Sequence, residues 1–172
     1  MANRCHIALG SNLGPSVDHL HAAIRAIDGL DHTQVIASSS LYTSPPMAGM
    51  KQPDYTNAVI AIDTGLDALE LLDALQEIER AQGRERHLRW GARTLDLDII
   101  SYGRQCLNLP RLTVPHYGVA ERAFVLLPLF EIAPHYQFAD GRQLTSLLAA
   151  CPPQSLTQMP DSKPDFSGAS QA

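Results

Sequence analysis

Between Arg89 and Ile100 the chain reads Arg-Trp-Gly-Ala-Arg-Thr-Leu-Asp-Leu-Asp-Ile-Ile, and this run restricts the fold more than any other. From Thr94 it alternates with the period of a strand: Leu95, Leu97 and Ile99 take one face, Asp96 and Asp98 the other. Two residues rise about 6.6 Å along a strand, so the two carboxylates stand side by side. At that separation two bare negative charges repel by roughly 2.5 kcal/mol at an effective dielectric of about 20. A hard divalent cation between them removes that repulsion, and Mg²⁺ typically takes one or two carboxylates plus substrate phosphate oxygens. Arg89 and Arg93 lie just upstream, each with the planar fork that suits phosphate. An Asp-x-Asp pair also occurs as a solvated strand edge. The flanking arginines and Trp90 favour metal and phosphate over that blander reading.

Length and composition set the limits. A chain of 172 residues fits one domain with an ordinary core, and 45% apolar content is that of a globular protein. The net charge of −5 gives no basic footprint for nucleic acid. Cys5, Cys106 and Cys151 are far apart and form no Cys-x-x-Cys, which suits an inert buried thiol at each in a reducing cytoplasm. No apolar run reaches membrane-spanning length and the N-terminus lacks a signal-peptide core. The expectation is a cytoplasmic monomer acting on small molecules, with neither nucleic acid nor membrane as partner.

Taken in order, His6–Leu9 reads as a buried strand followed by a Gly10–Pro15 turn, which lacks the Gly-Lys-Ser/Thr of a phosphate-binding loop. Ser16 is the expected N-cap of a helix carrying Val17, Leu20, Ile24 and Ile27 and ending near Gly29. Val35–Tyr42 is a second strand, residues 43–54 a proline-containing loop of functional length, and Tyr55–Asp63 a third strand. Leu66–Gln82 has the apolar stripe of a helix, and Gln76 and Glu79 share one of its faces, which the spacing alone reads as solvated. Residues 83–88 form a charged loop, Thr94–Tyr102 a fourth strand, and 103–109 a turn with a short return. Helix is expected around Glu121–Phe124, turns over Pro128–Pro134, and a last helix at Leu144–Ala150. The Pro-, Ser- and Gln-rich stretch 152–172 reads as a disordered tail after a single domain spanning 1–151. Strand, helix, strand, strand, helix, strand is the order of an α+β, ferredoxin-like βαββαβ sandwich, an antiparallel sheet with helices on one face, here with C-terminal additions.

The run from Arg89 to Ile99 resembles the signature of the 6-hydroxymethyl-7,8-dihydropterin pyrophosphokinase family of folate biosynthesis, Arg-Trp-Gly-(Pro or Ala)-Arg-x-Leu-Asp-Leu-Asp-Ile, at every fixed position. Arg111-Leu112-Thr113-Val114-Pro115-His116-Tyr117 resembles a second block of the same family, and the likeness extends over about residues 4 to 150. It implies ATP-dependent transfer of pyrophosphate to the hydroxymethyl group of the dihydropterin, with release of AMP. Asp96 and Asp98 would hold two Mg²⁺ ions, and Arg84 and Arg93 would act on the transferring phosphoryl group. The pterin would meet Ser44, Pro45, Met47, Tyr55, Asn57, Trp90 and Phe124. ATP would meet Gln76, Glu79, Arg86, Arg89, Arg93, Ile99, Arg111, Thr113, His116, Tyr117 and Arg122. Ser44 stands where the family usually has threonine, and the 83–88 loop is one residue shorter than in its best-known members, with His87 where a lysine is frequent.

Two other classes use some of the same features. Another Mg-dependent phosphoryl transferase or a nuclease would also employ Asp96 and Asp98, and would release ADP or cleaved nucleic acid instead of AMP. A ferredoxin-like RNA-binding module would need exposed aromatics on the sheet and a basic surface, which this chain lacks.

Overall fold

A computed structural model of the chain describes residues 2–12, 14–45, 53–82, 95–115, 118–152, 154–160 and 162–164. The elements are, in order, β1 (Asn3–Ser11), α1 (Ser16–Asp28), β2 (Thr33–Ser38), β3 (Tyr42–Ser44), β4 (Tyr55–Thr64), α2 (Ala68–Ala81), β5 (Asp96–Tyr102), β6 (Leu107–Leu109), β7 (Leu112–Val114), α3 (Ala123–Ile132), α4 (Leu144–Ala150) and β8 (Thr157–Gln158). The main sheet runs β5-β1-β4-β3-β8, with β2 also on β4, and every pairing in it is antiparallel. β6 and β7 form a separate hairpin. The fold is therefore α+β with an antiparallel sheet, as the element order implies.

Both faces of the sheet are covered at β1 and β4, which is why these two strands are nearly continuous apolar runs instead of alternating ones. On one face Cys5, Ile7 and Leu9 of β1 and Leu97 and Ile99 of β5 meet Leu20, Ile24 and Ile27 of α1 and Leu71, Leu75 and Ile78 of α2. On the other, Ala8, Val59 and Ile100 meet Val125, Leu126 and Leu129 of α3, with Phe138 and Leu144 closing the layer. The C-terminal additions thus supply the second helical layer. Among the described residues no helix is long and apolar enough to cross a membrane.

Local chemistry sets the boundaries. α2 begins at a capping box in which Glu70 N–H donates to Asp67 (2.8 Å) and Asp67 N–H donates to the Glu70 carboxylate (3.0 Å). α1 starts one residue earlier than expected: Pro15 holds the capping position, and Ser16 is already helical and accepts from the Ser11 hydroxyl. The strand expected over 35–42 is two strands. At the break Ser39 sits buried against β4, its N–H donating to Val59 O (2.9 Å) and its hydroxyl accepting from Val59 N–H (3.0 Å).

Further differences lie beyond β7. The turn expected at Pro128 is helical: Pro128 is buried inside α3, where it forgoes one backbone donor and the helix continues to Ile132. The stretch expected to be disordered after 151 is held in place over its first part, because β8 pairs with β3. Residues 165–172 lie outside the described residues. Of the cysteines only Cys5 is buried, its thiol pushed up to about 11 mainly by that burial; Cys106 is exposed and Cys151 partly so, and all three are free.

Candidate active site

The strand register builds the site. Asp96 of β5 pairs with Gly10 of β1, Gly10 with Asn57 of β4, and Asn57 with Tyr42 of β3, so these four lie in one row across the sheet. Asp98, Ala8 and Val59 form the next inner row. Because Leu97 and Ile99 point into the α1/α2 core and Ile100 into the α3 core, the two half-buried aspartates face the α3 side. Asn57 and Tyr55, in phase with Val59, face the same way. With strands about 4.8 Å apart, Asp96 and Asn57 are separated by roughly 10 Å, with Gly10 between them. A Cβ on Gly10 would come within 3.5 Å of Asn57 Oδ1, so the absent side chain leaves the floor between the two residues low.

On the side assigned to the pterin, Asn57 is 4% exposed and its Nδ2 donates to Ser44 Oγ (2.8 Å), which fixes the orientation of the amide. Ser44 is paired with Tyr55, so three of the expected residues converge at the β3–β4 edge. Pro45 follows directly and is exposed. Phe124 lies in the first turn of α3, half-buried against the second core, with the Arg122 guanidinium 5.8 Å from its ring centroid. That contact is of cation–π type.

Of the described residues assigned to the nucleotide, Gln76, Glu79, Arg111 and Thr113 gather around α2 and the β6–β7 hairpin, whereas Arg122 lies at the start of α3. Arg111 donates to Asp73 (2.6 Å) and to Gln76 Oε1 (3.3 Å), tying the hairpin turn to the exposed face of α2. Thr113 is exposed on β7 between the buried Leu112 and Val114. Glu79 differs from the solvated residue that helical spacing suggests. It is 3% exposed, and its carboxylate accepts the Leu97 N–H at 2.8 Å, from the backbone link between Asp96 and Asp98. Ile99 is also buried, its side chain within the α1/α2 core, which leaves its backbone to meet a ligand. Met47, Arg84, Arg86, Arg89, Trp90, Arg93, His116 and Tyr117 lie outside the described residues.

The donor set can be tested against magnesium. Asp96 and Asp98 offer hard carboxylate oxygens in register on one face, partly open to solvent. Among the described residues no cluster of three or more His, Cys, Asp or Glu could hold a metal. Two carboxylates without a protein cage fit an ion that shares its remaining positions with water and substrate phosphates.

One group was missed from sequence. Glu131 of α3 accepts from Ser40 N–H (3.0 Å), Ser40 Oγ (2.8 Å) and the Tyr42 hydroxyl (2.7 Å), pinning α3 to the start of β3. Burial, reinforced by this carboxylate, raises the Tyr42 phenol well above its usual range. The available signal was Glu131 itself, the one charged residue in the apolar run Ala123–Ile132. The same helix covers the sheet face on which an RNA-binding module would stack bases.

Comparison with known proteins bears on the fold and on the family. In solved structures the chain resembles a Plasmodium falciparum HPPK-DHPS with pterin and p-hydroxybenzoate, at TM-score 0.68 and 15% identity over 87% of this chain and 43% of that one. That likeness concerns the fold, and this chain spans less than half of the longer protein. A 2-amino-4-hydroxy-6-hydroxymethyldihydropteridine pyrophosphokinase of Pseudomonas aeruginosa is 51% identical over 93% of this chain and 99% of its own length. One from Haemophilus influenzae is 50% identical over 83% and 89%. The pattern of the 7,8-dihydro-6-hydroxymethylpterin-pyrophosphokinase (HPPK) family matches residues 6–134. A family-wide match over most of the chain, with half of all residues shared along nearly the full length of a relative, leaves one conclusion: the chain belongs to the HPPK family, the pyrophosphokinases of folate biosynthesis.

Proposed function

We propose that this pyrophosphokinase moves the βγ-diphosphate of ATP onto the hydroxymethyl oxygen of 6-hydroxymethyl-7,8-dihydropterin. The oxygen forms a bond to the β-phosphorus, the bridge between α- and β-phosphorus breaks, AMP leaves with that bridging oxygen, and the hydroxyl proton passes to solvent. The observation that carries this reading is the shared row of Asp96, Gly10 and Asn57, which sets an acidic pair and a hydrogen-bonding amide on one sheet face about two strand spacings apart. A flat heterocycle held at Asn57 and Tyr55 would present its substituent toward the aspartates across the low floor at Gly10.

Asp96 and Asp98 would hold the magnesium ions, which when bound supply charge neutralisation for the triphosphate and polarise the attacking hydroxyl. Glu79 keeps Leu97, and with it both aspartates, at a fixed height on β5. Asn57, oriented by Ser44, would read the polar edge of the pterin, while Tyr55 and Phe124 would supply apolar area against its faces. Arg111 and Thr113 would meet the nucleotide from the hairpin, and Arg122 from the start of α3. Arg84 and Arg93 would stabilise charge on the phosphoryl oxygens. Catalysis on this plan is positioning and electrostatics, with little covalent work for the protein.

The test is product analysis. With ATP, Mg²⁺ and the dihydropterin, AMP is expected in a 1:1 ratio with the pterin diphosphate, and only when the pterin is present. Formation of ADP, or AMP release independent of pterin, would overturn the assignment.

A further inference from the structure

The segment after α4 touches two elements, and both carry residues assigned to the pterin side. At α3, the first N–H groups of the helix have no intrahelical partner, and the capping residue Arg122 makes no side-chain cap. Gln154 fills that role from a distance: its Oε1 accepts the Ala123 N–H (3.0 Å) and its Nε2 donates to Glu121 O. One amide thus grips the turn that presents Arg122 and Phe124. At β3, Thr157 and Gln158 pair with Thr43 and Tyr42. Met159 N–H donates to Leu41 O (2.8 Å), Leu41 N–H donates to Ser162 Oγ (2.9 Å), and Gln158 Nε2 donates to Ser40 Oγ (3.0 Å).

β3 is only three residues long and would otherwise pair on one side alone, with β4. Such a short strand owes its position to its neighbours. Two residues, Ser155 and Leu156, separate the attachments, and the three steps from Gln154 to Thr157 reach at most about 10 Å when extended. The segment therefore limits how far the α3 N-terminus and β3 can part, and Ser44 and Phe124 ride on those two elements.

We propose that residues 154–160, together with Ser162, form a strap that fixes the width of the pterin-binding half of the site, with Gln154 as its positioning residue. This rests on the assignment of Ser44, Asn57, Tyr55 and Phe124 to the pterin. In the described structure the strap bonds to neither α2, β5 nor the β6–β7 hairpin, where the described nucleotide and metal residues other than Arg122 gather; Arg122 alone of that set lies on the turn that Gln154 holds. Loosening the strap should therefore alter pterin binding much more than nucleotide binding.

The test is steady-state kinetics on the full chain carrying Gln154→Ala, Gln154→Glu or Tyr55→Ala. Gln154→Ala, which removes both bonds, is expected to raise KM for the pterin roughly five- to tenfold, with KM for ATP and kcat within about twofold of wild type. Gln154→Glu retains an acceptor for the Ala123 N–H and is expected to restore most of the pterin KM. An unchanged pterin KM in Gln154→Ala despite a lowered melting temperature would reduce the strap to a stability element and overturn the proposal, as would equal rises for both substrates. Tyr55→Ala separates the two levels. If it too leaves the pterin KM unchanged, the pterin-side assignment has failed; if it raises that KM while Gln154→Ala does not, only the strap has failed.

Discussion

Replacing Glu131 by alanine tests whether the second helical layer is joined to the substrate-binding edge by charge as well as by apolar packing. The carboxylate accepts three hydrogen bonds, from Ser40 N–H, Ser40 Oγ and the Tyr42 hydroxyl. Bonds to a charged group contribute about 1.5–3 kcal/mol each in isolation, but three sharing one partly exposed carboxylate do not add in full. The removal leaves the 5%-exposed Tyr42 without its acceptor, and we expect a net loss of about 3 kcal/mol. For a chain of this length that lowers the melting temperature by roughly 6–12 °C. Urea titration should show the midpoint falling at constant slope, which separates lost stability from an altered unfolded state. A cycle with Tyr42→Phe should give a coupling of about 1–2 kcal/mol. A loss below about 0.5 kcal/mol, or strictly additive single changes, would refute the reasoning.

The remaining expectations concern the site and its supports. Asp96→Ala or Asp98→Ala should each cost about 4 kcal/mol of barrier, on the order of a thousandfold in kcat measured by AMP release, and a drop below about tenfold would exclude both as metal ligands at the reacting centre. By calorimetry, Tyr55→Ala should weaken pterin binding while leaving nucleotide affinity nearly unchanged; equal losses would count against the division of the site. Glu79→Ala strands the Leu97 N–H and should destabilise by roughly 2–3 kcal/mol in denaturant unfolding, with kcat falling because the same backbone carries both aspartates. His6 has its pKa lowered to about 4 by burial, with Arg4 adding to the effect. The unfolded chain therefore binds one more proton between the ordinary histidine value of about 6.5 and the folded value. Stability from this group is complete above that window and falls by on the order of 3 kcal/mol as pH drops through it. His6→Gln should flatten the stability profile there, and an unchanged profile would show that His6 does not titrate on unfolding.

The parts of the fold that sequence foretold are those in which apolar burial repeats with a fixed period. β5 is legible because one side is dry and the other is charged, and α2 because Leu71, Leu75 and Ile78 make its stripe. The parts it hid are held by hydrogen bonds with no periodic signature. Ser39 is buried only because it satisfies the Val59 backbone, and this turned one expected strand into two. Gln154, Gln158 and Ser162 look like a solvated tail by composition, yet each bonds a backbone or side-chain group of the domain. Glu79 was expected on an exposed face and instead caps the Leu97 amide from within the core boundary. Pro128 reads as a turn, but Val125, Leu126 and Leu129 around it are buried, and that packing carries the helix through the proline.

The inward Leu97 and Ile99 of β5 have a consequence for how such chains can diverge. A slip of one residue would drive Asp96 and Asp98 into hydrocarbon and turn Leu97 and Ile99 outward, so the strand has a single tenable setting. Insertions or deletions upstream must then be absorbed before Leu95. The setting of the acidic pair is thus a property of β5 itself, and an insertion within the strand would cost the core and the site together.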